Sequence, residues 1–144
     1  MSAAPTPAPA PARQRVWPAI STDTRFFWDG VAEGELRVQQ CNECATLIHP
    51  PSPACGACTS LDLGYQVASG EGTVYSWVVF RHPLAPPFTE PYAVAVIELD
   101  TGTRLVSQLL DIPLDEIEIG LPVSVRFVEV EPGLTLPLFG PRAA

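Results

Sequence analysis

Three features of the sequence predict a mainly β fold with one helix ahead of it. Two C-x2-C pairs fall within residues 41–58. Runs of β-branched and aromatic residues, parted by turn residues, recur from Gly70 to the C-terminus. Ahead of both lies one short segment with apolar residues at helical spacing. A length of 144 residues sets the scale at one compact domain or two very small ones.

Residues 1–16 are read as a disordered arm. Pro5, Pro7, Pro9 and Pro11 alternate with small residues, so this stretch has nothing to bury and favours an extended polyproline-type chain. It carries neither a basic n-region nor a long apolar core, so it is not expected to act as a secretory signal. The next segment, 21–33, opens on Ser21, Thr22, Asp23 and Thr24, all good N-caps, and Gly34 supplies a stop. Phe27, Trp28 and Val31 make an apolar stripe on this helix. Such a stripe is first of all a packing face. The aromatic load of Phe26-Phe27-Trp28 also suits an interface anchor.

Next come Cys41 and Cys44, ten intervening residues, and then Cys55 and Cys58. Paired C-x2-C knuckles present four thiolates to one tetrahedral ion, the pattern of a rubredoxin-like, four-cysteine zinc ribbon. The spacer is short, and Pro50, Pro51 and Pro53 stiffen it. An iron centre would use the same ligands, and a disulfide pair would suit an exported chain; structural zinc is the favoured reading. With sulfur in all four positions, no site is left for a catalytic water, so the metal is expected to hold the fold and do no chemistry. His49, between the knuckles, reads as a loop histidine.

Strands are expected around Leu36–Gln40 and Thr46–Ile48, then at 73–80, 92–99, 103–110, 123–130 and 134–139. Gly70 and Gly72 suggest a bulge at the start of the first long strand. Asp100-Thr101-Gly102 reads as a hairpin, and 111–117 as a capped single helical turn. Five strands with a helical turn between the third and fourth give the layout of a five-stranded OB-fold barrel. The organisation expected is thus arm 1–16, helix plus ribbon 17–66, and barrel 67–144.

Charge narrows the function. Eight arginines and no lysines face sixteen acidic residues, a formal net charge of −8. Four thiolates with one Zn2+ take this to −10. An acidic chain is a poor binder of phosphate backbones, so no nucleic-acid partner is expected. An OB-fold nucleic-acid module stays as the alternative, with Tyr75, Trp77 and Phe80 as its stacking faces. No apolar run reaches the length of a membrane span, so no membrane association is expected, and the location is read as cytoplasmic. No nucleophile stands uncommitted beside a base. His82, followed by Pro83 in the loop after the first barrel strand, is the one candidate base, better read as a contact residue together with Arg81.

Several stretches taken together resemble a known family. They are Phe27-Trp28-x-Gly30, Leu36-x-x-Gln39-x-Cys41-x-x-Cys44, His49-Pro50-Pro51, Cys55-x-x-Cys58, Ser69-Gly70-x-Gly72-Thr73-Val74-Tyr75-Ser76-Trp77 and His82-Pro83. Further along are Pro91-Tyr92-x-Val94-Ala95, Ile119-Gly120-Leu121-Pro122-Val123 and Leu136-Pro137-x-Phe139. These are similar to the acyl-CoA-associated zinc-ribbon/OB-fold proteins, domain-of-unknown-function family 35, over about residues 22–141. Two departures stand out: Ala45 where the family usually has glycine, and Gly56-Ala57 in place of a usual proline. The resemblance implies a non-catalytic scaffold subunit docked on a thiolase-like protein, either an aldolase, an acyltransferase or a condensing enzyme. It would help to bind or channel an acyl-CoA substrate, with steroid or lipid side-chain degradation as the nearest context. Phe27, Trp28, Arg81 and His82 are the expected partner or substrate contacts, and Cys41, Cys44, Cys55 and Cys58 the zinc ligands. Coenzyme A is anionic and only Arg37, Arg81, Arg104 and Arg126 are assigned to ribbon and barrel, so the partner is expected to hold most of its phosphates.

Overall fold

A computed structural model describes residues 15–143, and the arm expected over 1–16 lies outside them up to residue 14. The helix α1 spans Arg25–Glu33, and the residues before it form a turn in which the Ser21 N–H bonds Thr24 Oγ1 at 2.9 Å. Gly34 ends it in the left-handed region at φ 77°, and the Glu35 N–H closes on the Gly30 carbonyl at 2.7 Å. Gly30 is needed for close approach. A Cβ there would stand 2.7 Å from the Arg37 side chain, which crosses the helix at that point.

The ribbon sheet has the order β2-β1-β3, with β1 at Leu36–Cys41, β2 at Leu47–Ile48 and β3 at Leu63–Ala68, all antiparallel. The five-stranded sheet has the order β6-β5-β4-β7-β8. Its strands are β4 Glu71–Phe80, β5 Tyr92–Leu99, β6 Arg104–Gln108, β7 Pro122–Glu131 and β8 Leu134–Pro141. A single 3-10 turn at Leu114–Glu116 links β6 to β7 and has no side-chain cap, unlike the capped turn expected. This is the OB-type layout. The edge strands do not form a full closing ladder; they meet at one parallel bridge, Leu109–Phe139, where the Leu110 N–H bonds the Phe139 carbonyl at 2.7 Å. Ser107, just before it, donates to the Pro137 carbonyl at 2.7 Å.

The expected bulge falls elsewhere. Gly70 takes φ 80° in the β3–β4 turn, and the register of β4 against β5 slips instead between Val74 and Ser76, at Tyr75. The hairpin at Asp100-Thr101-Gly102 is as expected, closed by the Leu99 N–H on the Thr103 carbonyl at 2.8 Å. Strand β3 is an addition to the elements expected.

Alternation puts Ala93, Ala95, Ile97 and Leu99 of β5 inward, where they pack with Val74, Val123 and Phe139. Leu36 and Val38 of β1 belong to the same buried cluster, so ribbon sheet and barrel share one core. Gln39, next to Val38 in sequence, is also buried but polar. Its Nε2 donates to the Ser52 carbonyl at 3.0 Å and its Oε1 accepts from the Ser52 N–H at 2.8 Å. That pair of bonds fastens the proline-rich loop to β1 and holds the second knuckle beside the first.

Candidate functional site: a four-cysteine centre beside an apolar groove

Both knuckles are built alike. The Ala45 N–H returns to the Cys41 carbonyl at 3.0 Å, and the Thr59 N–H to the Cys55 carbonyl at 2.9 Å. One residue further on, the Cys41 N–H bonds the Thr46 carbonyl and the Cys55 N–H bonds the Ser60 carbonyl. Each turn forces the residue after its second cysteine to positive φ, 61° at Ala45 and 64° at Thr59. Ala45, which stands where the family usually has glycine, thus strains the first knuckle, and Thr59 strains the second in the same way.

This backbone brings the four sulfurs together within 4.8 Å of one another. Cys41 lies 3.6 Å from Cys58 and Cys44 lies 3.6 Å from Cys55. Zn–S bonds of about 2.3 Å in a tetrahedron place sulfurs about 3.8 Å apart, whereas a disulfide needs about 2.05 Å. The cluster fits zinc and excludes the disulfide reading for this arrangement. Its electrostatics also call for a cation. The Thr46 hydroxyl, 3.1 Å from Cys44 Sγ, and the Thr46 N–H pull the Cys44 thiol down to about 6. At Cys58 the Ser60 N–H works to lower the pKa, but the adjoining Cys41 and Cys44 sulfurs outweigh it and push the thiol up to about 12. One thiolate suppresses ionisation of its neighbours, and a divalent ion removes that conflict. Cys41 and Cys55 are buried and Cys44 and Cys58 exposed, so one edge of the centre faces solvent.

Next to the ribbon, an apolar groove of about 580 Å³ runs between α1, the loop after β2, and strands β5, β6 and β8. That volume suits a small-molecule ligand or the side chains of a partner. Phe27 and Trp28 meet edge to face at 5.1 Å on one wall. Tyr92 stands on another, stacked on Phe88 at 3.8 Å. His49 sits 5.8 Å from Phe27, and burial holds its pKa below the ordinary imidazole range. It also lines a more polar cavity under the β5–β6 hairpin.

Of the expected contacts, Phe27 and Trp28 line the groove. Arg81 and His82 do not: they are exposed at the start of the 81–91 loop, and it is Phe88, later in that loop, that reaches the groove. Two stacking faces of the alternative reading are engaged within the molecule. Arg104 lies 3.8 Å over the Tyr75 ring, and Phe80 stacks on Tyr92 at 5.1 Å. Three of the four arginines assigned to ribbon and barrel are ion-paired as well. Arg37 pairs with Glu33 and Glu35, Arg104 with Glu98, and Arg126 with Asp111. Arg142 adds a fifth arginine to the four assigned to ribbon and barrel, its Nη2 3.3 Å from the Gly72 carbonyl and 3.8 Å from Glu71. Sequence reasoning missed Phe88, Val106 and Gln108 on the groove wall. It did single out Phe27-Trp28, His49-Pro50-Pro51, Tyr92-x-Val94 and Leu136-Pro137 as carriers of the resemblance, and all of these converge here.

Residues 28–64 match the family described as "ChsH2, rubredoxin-like zinc ribbon domain" and residues 65–128 match "ChsH2, C-terminal OB-fold domain". A solved chain described as "Ltp2-ChsH2(DUF35) aldolase" superposes with a TM-score of 0.83 at 47% identity, covering 86% of this chain and 98% of that one. This chain belongs to the ChsH2/DUF35 family. Within it, a Methanothermobacter thermautotrophicus relative described as "DUF35 domain-containing scaffold protein" is 31% identical over 77% of this chain and 86% of its own length. The "probable enoyl-CoA hydratase alpha subunit" of Thermomonospora curvata is 46% identical over 91% of this chain. The "3-oxo-4,17-pregnadiene-20-carboxyl-CoA hydratase alpha subunit" of Mycobacterium tuberculosis is 40% identical over 78%. This chain spans only 41% and 36% of the length of those two hydratase subunits. As a ChsH2/DUF35 zinc ribbon, its four clustered cysteines form a structural zinc centre. No helix among the described residues is long and apolar enough to cross a membrane.

Proposed function

We propose that this chain is a non-catalytic accessory subunit that docks on a thiolase-like enzyme and lends its groove to the acyl or pantetheine part of a CoA-linked substrate. The observation that carries this reading is the convergence of the family's stretches, from Phe27 to Pro137, on one apolar groove. The aldolase named for the solved ChsH2(DUF35) chain, and the scaffold role named for the archaeal relative, point to the kind of partner. The steroid-CoA named for the mycobacterial relative points to the kind of substrate. The paired arginines support leaving the CoA phosphates to the partner. We take 17–66 as the helix-plus-ribbon unit, 67–144 as the barrel unit, and the reducing cytoplasm as the setting that suits four free thiols. Phe27, Trp28, Arg81 and His82 are assigned to partner or substrate contact, with Trp28 as the anchor to test.

The test mixes the purified chain with the thiolase-like protein encoded nearest to it. A stable complex should form and cleave or condense an acyl-CoA, while this chain alone turns over none. Trp28→Ala should weaken the complex by about 2 kcal/mol or more at unchanged zinc content, as an interface anchor does. If Trp28 served only the core, the loss would instead be about 3–5 kcal/mol of folding stability. Robust turnover by this chain alone would refute the proposal.

A further inference from the structure

Strand β6 is paired on one side only. At the two ends of its ladder with β5, the Leu99 N–H bonds the Thr103 carbonyl at 2.8 Å and the Leu109 N–H bonds the Ala93 carbonyl at 3.0 Å. Antiparallel pairing alternates, so Leu105 and Ser107 between them also turn their backbone groups toward β5. Arg104, Val106 and Gln108 turn theirs the other way. Leu110 shares their parity, and its N–H reaches the Phe139 carbonyl of β8 at 2.7 Å, so this edge faces the gap between β6 and β8. Among the described residues no strand pairs with the edge ahead of that bridge. Charges, prolines and bulges are the usual guards of an open edge. Residues 105–108 have none of them, and Val106 is 67% exposed. The edge is also a wall of the groove. Val106 and Gln108 line its apolar part, and Arg104 lines the polar cavity that shares His49 with it. In that cavity Thr101 and Thr103 keep buried hydroxyls with no hydrogen-bond partner. Lengthwise, the edge runs from polar surroundings at Arg104 to apolar ones at Gln108.

We propose that the open edge of β6 binds the pantetheine arm of an acyl-CoA through its amide groups, with the N–H and carbonyl of Val106 at the centre. This deepens the reading above and rests on the groove being the acyl-CoA site. A strand edge takes up an extended chain that offers amides, and main-chain hydrogen bonds supply the affinity. Pantetheine is such a chain: uncharged, unbranched between its two amides, and ending in the thioester. An uncharged arm suits an edge whose own cation, Arg104, is already paired with Glu98. The groove, at about 580 Å³, has the size of a small-molecule site, and its apolar walls at Phe27, Val94 and Leu136 suit the acyl chain. A peptide strand of the partner would use the same bonds but needs more room. From Arg104 to Gln108 the outward positions span about 14 Å, short of the roughly 17–20 Å of a typical strand, and the Leu109–Phe139 bridge closes the far end.

Amide hydrogen exchange in the full chain, read residue by residue with S-octanoyl-pantetheine, tests the edge directly. This probe carries the acyl chain and both amides and none of the nucleotide phosphates. In the free protein the Val106 and Gln108 amides should exchange fast, and those of Leu105 and Ser107 slowly. At saturation the Val106 and Gln108 amides should slow about tenfold. Methyl octanoate, which has no amide, should shift the Val94 and Leu136 resonances and leave the edge unprotected. Val106→Pro removes the outward N–H on an edge strand, where proline is tolerated. It should weaken binding of S-octanoyl-pantetheine about tenfold and leave that of methyl octanoate unchanged. If the variant misfolds, exchange in the native chain decides alone. Shifts at Val94 and Leu136 from both ligands, with Val106 and Gln108 still fast, would overturn the edge and leave the groove reading standing. No response to either ligand would overturn both the edge and the groove's acyl role. Edge amides already slow in the free chain, or slowed by higher chain concentration or by the partner alone, would mean that a protein strand occupies the edge and would overturn the proposal.

Discussion

Ala45 and Thr59 hold left-handed backbone, which costs an L-residue about 1–2 kcal/mol and glycine almost nothing. Ala45→Gly should therefore raise the stability of the zinc-loaded protein by about 1 kcal/mol, seen as a higher melting temperature. An unchanged or lower value would mean that the flexibility glycine adds to the unfolded chain outweighs the relief. The sequence marked this position because glycine is the family's usual residue; Thr59 gave no such signal, although its geometry is the same. His49 supports a second expectation. Burial lowers its folded pKa, so on acidification the unfolded chain takes up the proton first. Its contribution to stability is full above the ordinary value of about 6.5 and is lost as pH falls below that, down through the folded pKa. Urea midpoints of the native protein and His49→Gln, measured from pH 7.5 to 5.5, should diverge below about pH 6.5, with the native protein losing more. Parallel curves would show that His49 adds nothing to the acid sensitivity.

At the level of elements, Gln39 shows how a strand and a loop are tied. Gln39→Leu removes both bonds to Ser52 and leaves that residue's N–H and carbonyl without their partner, a cost of about 3 kcal/mol. Urea denaturation followed by zinc content would read it: a drop in midpoint with zinc still bound at zero denaturant is the expected result. Most elements were legible because alternation and turn chemistry agreed, as at Tyr92–Leu99 and the Asp100-Thr101-Gly102 hairpin. Leu63–Ala68 was not. Gly64 interrupts its pattern, and Tyr65 and Val67 are exposed, so no buried face marked it as a strand. Pairing with β1, a long-range event, makes it one. The bulge was misplaced for a related reason. Gly70 signals a positive φ, but only the register against β5 decides whether that φ serves a turn or a bulge.

For the molecule as a whole, Leu36 and Val38 in the barrel's core mean that the ribbon cannot come apart without exposing the barrel. Removing zinc with a chelator should lower the melting temperature sharply in one cooperative transition, since structural zinc contributes on the order of 10 kcal/mol to folding. Two well-separated transitions in calorimetry would show that the halves are independent, and a mass spectrum showing iron would overturn the zinc assignment. The metal centre was fully legible, because four cysteines at knuckle spacing leave few alternatives. The groove was legible only as scattered stretches. Phe27, Pro50, Tyr92 and Pro137 give no sign in sequence that they are neighbours, and Arg81 and His82 drew attention for their chemistry while Phe88 made the contact. The single bridge at Leu109–Phe139 has a mechanical consequence. The bridge joins the residue just past β6 to β8, and both of those strands are walls of the groove. The barrel's stave-to-stave seam is thus stitched at one point, on the side that would have to spread for a wide cargo. Parting it would break the Leu110 and Ser107 hydrogen bonds and unpack the buried Leu109 and Phe139, while the long β4–β5 and β7–β8 ladders stay paired, so this seam is held more by packing than by backbone pairing.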